Sequence, residues 1–162
     1  MIPADSHAAD PQALVAALDS ELSTLVQVLE MLDIEHEALM GSDPERLEQA
    51  VVAKQNAIAA HLKSRSLREA LGLRDSLREQ LEAHPTLVNG LREKALNLVI
   101  ELNELALKSK SMNARNGKLI AGLKERTTTS LKVLRPDAAS ITLYGDSGSA
   151  ENTMGSRLLG SA

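Results

Sequence analysis

Four histidines, a Gly-Asp-Ser-Gly stretch and no cysteine are the chain's materials for chemistry, and each makes a demand on its surroundings. Gly145-Asp146-Ser147-Gly148 matches the nucleophile loop of chymotrypsin-like serine proteases. A serine there attacks only when a rigid scaffold holds a base and an orienting carboxylate against it. In a Gly/Ser-rich tail behind a helical chain, no such scaffold is expected. His36-Glu37 opens like a zinc-protease helix, but the position of the second imidazole is Met40. His36 instead keeps the register of a run of leucines, which reads as a partly buried structural histidine. His7, His61 and His84 stand in unrelated settings. Glu82 is too close to His84, and Asp33 before His36 stands alone, so the Glu-x-x-His pairs of di-iron bundles are missing. With no glycine-rich phosphate loop either, the expectation is a protein that is not an enzyme and binds no metal or cofactor.

The elements that would position these residues follow from composition. The chain has 162 residues, 43% of them hydrophobic and 25% charged, with a formal charge of −4, which suits one soluble domain. Only 1% is aromatic, Tyr144 alone, so the core must be built from Leu, Val, Ile, Ala and Met, the palette of helix bundles and coiled coils. The lack of cysteine suits a reducing compartment. Residues 1–10 have neither the basic start nor the apolar stretch of a signal peptide, and no run approaches transmembrane length. A cytoplasmic protein without membrane insertion is expected.

Charge is unevenly placed. Residues 1–40 contain no Lys or Arg, whereas Asp5, Asp10, Asp19, Glu21, Glu30, Asp33, Glu35 and Glu37 are acidic. Over residues 105–135, Lys108, Lys110, Arg115, Lys118, Lys124, Arg126, Lys132 and Arg135 face only Glu125. A basic run can bind nucleic acid, but a second basic element, aromatic stacking groups and a positive net charge are all missing. No nucleic-acid partner is expected, and the simpler use is internal, an acidic helix lying beside a basic one.

Residues 1–9 are small and polar and read as disordered. Asp10 and Pro11 start the first long helix as N-cap and first helical position. Leu14, Leu18, Leu22, Leu25, Leu29, Leu32, His36 and Leu39 recur along it with helical spacing. Gly41 ends it, and Asp43 with Pro44 caps the next helix, so the short connection forces an antiparallel hairpin. The second helix carries Leu47, Val51, Lys54, Ile58, Leu62 and Arg65 and continues to Leu71, where Gly72 breaks it. Lys54 and Arg65 are expected to snorkel past the core. Residues 74–81 form a short helix that turns the chain over before His84-Pro85.

The longest feature runs over residues 86–134. Leu91, Ala95, Leu98, Leu102, Leu105, Ser109, Met112, Asn116, Leu119, Leu123 and Leu134 fall mostly at alternating steps of three and four, the pattern of a heptad seam. This third long helix would extend roughly 70 Å against roughly 45 Å for the first. The fold predicted is therefore all-α, an elongated antiparallel three-helix bundle or coiled coil over residues 10–135, in which the last third of the long helix overhangs. Aligning Asp10 with Thr86 puts Asp33, Glu35 and Glu37 beside Lys108, Lys110 and Arg115. Thr127, Thr128, Thr129 and Ser130 each cost about 0.5 kcal/mol relative to Ala, so an unpacked end would fray there. Pro136 closes the helical region. The tail over residues 136–162 is flexible in composition, punctuated by Ile141, Leu143, Tyr144, Met154, Leu158 and Leu159. Those clusters read as a binding segment or as an unused terminus. Ser109, Asn113 and Asn116 likewise admit two readings, register-setting residues in a coiled coil or a surface for a partner.

The acidic Leu-rich first helix, the second helix with Leu47, Lys54, Ile58, Leu62 and Arg65, the stretch Asn113-Ala114-Arg115-Asn116-Gly117-Lys118-Leu119-Ile120, and the tail Leu143-Tyr144-Gly145-Asp146-Ser147-Gly148 occur in that order. Together they resemble the FlgN family of flagellar export chaperones, from the first helix to Gly148. The resemblance implies a helical, cytoplasmic, non-enzymatic protein. Such a protein binds hook-associated junction proteins, prevents their premature assembly and helps bring them to the export gate. It directs attention to Asn113, Asn116, Leu119, Ile120, Leu123, Leu131 and Leu134 as client-binding residues, and to Ile141, Leu143 and Tyr144 as a tail contact for the client or the export gate. A generic coiled-coil adaptor or another secretion chaperone is the alternative. Monomer and homodimer are both open.

Overall fold

Capping chemistry sets most helix boundaries. In a computed structural model, which describes residues 10–74 and 76–134, the chain forms α1 (Pro11–Gly41), α2 (Pro44–Ala70), α3 (Leu77–Ala83) and α4 (Asn89–Leu134). No strand occurs among the described residues. Asp10 accepts a hydrogen bond from the backbone N–H of Gln12 at 3.1 Å, and Asp43 from that of Arg46 at 3.0 Å. Each satisfies a donor that the first helical turn leaves open, and Pro11 and Pro44 follow where no N–H is needed. Between α1 and α2 the left-handed residue is Ser42 (φ 51°), while Gly41 is still helical. Gly72 takes φ +93° just after α2.

Three expected boundaries shift, and the short helix expected over residues 74–81 is Leu77–Ala83. The second helix ends at Ala70 rather than Leu71. The long helix starts at Asn89, not Thr86, because Leu87, 2% exposed, is drawn into the core from the preceding loop. At the other end α4 is helical through residues 127–130 to Leu134, where fraying was expected. Once a helix is nucleated, each added residue contributes a hydrogen bond, and a few poor formers do not stop propagation.

Residues fall into two units, Met1–Glu125 and Arg126–Ala162, and the core belongs to the first. Leu14, Leu18, Leu25, Val28, Leu29 and Leu32 of α1 pack with Leu73, Leu81 and Leu87 of the connecting segments and with Ala95, Leu98, Val99, Leu102 and Met112 of α4. The short α3 is thus more than a turn, since Leu81 is fully buried. On α4 the predicted seam holds from Leu91 to Leu123, every member buried or half-buried, whereas Leu134 is 77% exposed. The tail contact Ile141, Leu143 and Tyr144, the Gly145-Asp146-Ser147-Gly148 loop and the expected disorder of residues 1–9 and 136–162 lie outside the described residues.

Candidate functional site

Polar groups inside the helical core define the site. Helix α1 buries two carboxylates on its leucine face, Glu21 and Glu35, 5% and 0% exposed. A buried carboxylate persists only with charged and hydrogen-bonding partners, and α2 supplies them. Lys54 Nζ lies 2.6 Å from Glu35 Oε1. The buried Arg68 guanidinium bonds Glu21 and also donates to the carbonyls of Leu73 and Arg74, tying α2 to the segment before α3. Between these pairs, the Ser20 and Ser64 hydroxyls meet at 2.9 Å and Thr24 Oγ1 meets His61 Nδ1 at 3.3 Å. Residue numbers fall on α2 as they rise on α1, so the two helices are antiparallel.

The inward seam of α2 is therefore Leu47, Ala50, Lys54, Ala57, His61, Ser64 and Arg68, again at steps of three and four. This corrects the stripe read from the sequence. Ile58 and Leu62, expected in the core, are 38% and 55% exposed. Arg65, also outside, donates to Glu69 at 2.8 Å, and that hydrogen bond holds the Glu69 carboxyl below its ordinary value. The physical reason is that buried Glu21 and Glu35 require a polar partner face, which outweighs the apolar gain of turning Ile58 and Leu62 inward. Lys54 is likewise not a snorkelling bystander.

Helix α4 joins the network through Asn116, 1% exposed. Its amide nitrogen donates to the Leu32 carbonyl at 2.8 Å and to Glu35 Oε2 at 3.0 Å. Its amide oxygen lies 3.1 Å from His36 Nδ1 and accepts when that nitrogen carries the proton. Every capacity of this side chain serves α1, which makes Asn116 a register-setting residue. His36 is half-buried, as expected.

The expected charge alignment of α1 with α4 is also corrected. Asp33 does meet Arg115, at 4.0 Å, but Glu35 pairs with Lys54 and the exposed Glu37 with Arg46 of α2. Asn116 sits where the Asp10–Thr86 alignment would bring residues near 111, a slip of roughly five residues and more than one helical turn. The later start of α4 accounts for part of it.

Beside Asn116 a groove of roughly 290 Å³ opens between α2 and α4. Its floor is Leu25, Val28 and Leu32 of α1, one wall is Ile58 and His61, and the other is Ala106, Ser109, Lys110 and Asn113. Ser109 and Asn113 thus belong to a surface, while Asn116, their neighbour in sequence, is turned inward. Further along α4, Leu119 and Leu123 are half-buried and Ile120 is 40% exposed. In the second unit Leu131 and Leu134 are 57% and 77% exposed. Among the described residues no group of three or more His, Cys, Asp and Glu side chains converges as a metal site would require, and no helix is long and apolar enough to cross a membrane.

The family model for FlgN protein matches residues 10–152. The chain belongs to the FlgN family. FlgN is a family of flagellar export chaperones, not of enzymes, and the match takes in all four helices. No curated protein and no solved structure matches the chain.

In this FlgN-family chain the sequence left Ser109, Asn113 and Asn116 open between a register-setting and a surface role, and it missed the buried Glu21, Glu35, Ser64 and Arg68. One signal for them was available. Glu21 and Glu35 are among the few α1 carboxylates that share the leucine face, and Arg68 and Lys54 recur on α2 at the matching antiparallel positions.

Proposed function

We propose that this FlgN-family chain is a cytoplasmic export chaperone for hook-associated junction proteins, which it holds unassembled and helps deliver to the export gate. The single observation that carries the reading is the family match over residues 10–152. The exposed apolar residues of α4 support it. Ile120 in the first unit, and Leu131 and Leu134 in the second, are left without cover, and together with Asn113, Leu119 and Leu123 they are the client contacts of this proposal. Asn116 acts behind them by holding α4 against α1. Burial of about 1,000 Å² of apolar area grosses roughly 25 kcal/mol, of which ordering and association leave a fraction as affinity. Such a complex protects a monomeric client and still releases it.

The same reading takes α1, α2 and α4 as a three-helix antiparallel bundle in which α4 runs parallel to α1. Its support is the contact of Asn116 with Leu32, Glu35 and His36, together with residues 106–113 facing residues 25–32 across the groove. Ile141, Leu143 and Tyr144 are the proposed contact for the client or the gate. Co-purification from a flagellated cell extract tests the function. A hook-associated protein retained on the chain is the expected result, and retention of none of them contradicts it.

A further inference from the structure

Helix α2 is held to α1 chiefly by polar contacts. Of its 27 residues, Ala50, Ser64 and Arg68 are the buried ones, and none of these belongs to the apolar core that α1 shares with α4 and the connecting segments. Ala57, half-buried, is what α2 lends to that core. Leu47 and Val51 are half-buried, while Val52, Ile58, Leu62 and Leu67 are exposed. Toward α1 the helix presents Lys54 to Glu35, His61 to Thr24, Ser64 to Ser20 and Arg68 to Glu21. The core is complete without it, since the leucines of α1 meet Leu73, Leu81 and Leu87 and then Ala95, Leu98, Val99, Leu102 and Met112 of α4.

A helix in a protein is stabilised mainly by the apolar face that it packs, and segments with few buried apolar contacts open below the free energy of global unfolding. Charged pairs hold a helix differently from leucines. A leucine exposed on opening loses the whole benefit of its burial. Glu21, Glu35, Lys54 and Arg68 instead regain the hydration that pairing took from them, which offsets much of the attraction lost. The ends of α2 suit release as well. Left-handed Ser42 (φ 51°) precedes it and Gly72 (φ 93°) follows it, and Leu71 and Leu73, just past its last turn, pack with the core. We propose that α2 is a detachable cover, which leaves α1 and melts while α1, α3 and the first part of α4 keep their shared core. Opening breaks the Lys54–Glu35 and Arg68–Glu21 pairs and uncovers the α1 face that carries both carboxylates. It needs no client, so it stands or falls independently of the chaperone reading.

The test is native-state hydrogen exchange on the full chain, read by mass spectrometry as protection factors. Amides over residues 50–68 are expected to be at least about tenfold less protected than those over residues 14–32 of α1 and 95–112 of α4. Two variants separate local from global opening. Val99→Ala trims the core that stays folded, so it weakens the closed and the open-cover states alike. It should lower protection over residues 14–32 and 95–112 by about tenfold and leave residues 50–68 unchanged. Lys54→Ala deprives Glu35 of its cation in the closed state, whereas opening hydrates that carboxylate. It should lower protection over residues 50–68 by at least about tenfold. Protection over residues 50–68 that equals that of α1 and α4, or that falls in step with theirs in Val99→Ala, overturns the proposal, because α2 then opens only with the whole fold. Unchanged protection over residues 50–68 in Lys54→Ala overturns it too, since the ion pair then does not hold the cover.

Discussion

Glu35 has no contact with solvent, and its charge is tolerable only because Lys54 and Asn116 both donate to it. Glu35→Ala would leave the Lys54 ammonium and the Asn116 amide without their acceptor, and a broken buried pair costs about 3–5 kcal/mol. Urea denaturation should show a loss of that order. Replacing Glu35 and Lys54 together by Met should cost far less, because no unpaired charge remains. Asn116→Ala removes bonds to Leu32, Glu35 and His36, so a loss of about 1–3 kcal/mol is expected in the same experiment. Periodicity placed His36 on the leucine seam and passed over Glu35, its neighbour. A three-and-four pattern defines a stripe wide enough to include both, and polarity alone argued against burying a carboxylate. What sequence patterning lacks is the partner, since Lys54 is brought to Glu35 only by the hairpin.

At the scale of elements, caps and breaks were legible and the rotation of α2 was not. Asp10-Pro11 and Asp43-Pro44 announce their helices because the chemistry is local. The face that α2 presents is a tertiary choice, made by the two carboxylates of α1, and the most apolar stripe lost it. Gly72, at φ +93° with nothing near its missing Cβ, is demanded by backbone rather than by space. Gly72→Ala should therefore destabilise by about 1–2 kcal/mol in thermal melts, without a steric clash. At the C-terminal end of α2, the Arg65 hydrogen bond lowers the Glu69 pKa from 4.5. A lowered carboxylate contributes stability that is present above the unfolded value and lost as pH falls through the folded one. An NMR titration of the Glu69 carboxyl carbon should give a midpoint below 4.5 that Arg65→Ala moves upward.

Over the whole molecule, the acidic and basic blocks were legible as a pattern but not in their use. Acidic α1 was expected to neutralise basic α4, yet its buried carboxylates turn to α2, and Asp33–Arg115 at 4.0 Å is the ion pair that reaches α4 among the described residues. Lys108, Lys110 and Lys118 of α4 thus lie outside the ion pairing that the acidic first helix makes. The seam of α4 was readable to Leu123 because one heptad rule governs it, while Asn116 behaves as that rule permits a single polar residue to behave. The central proposal is that hook-associated proteins bind the C-terminal part of α4. Titration calorimetry of a purified junction protein against the full chain and against a chain truncated after Leu119 tests it most directly. The account predicts that truncation abolishes or weakens binding at least about tenfold, the equivalent of 1.4 kcal/mol, and undiminished affinity in the truncated chain would contradict it.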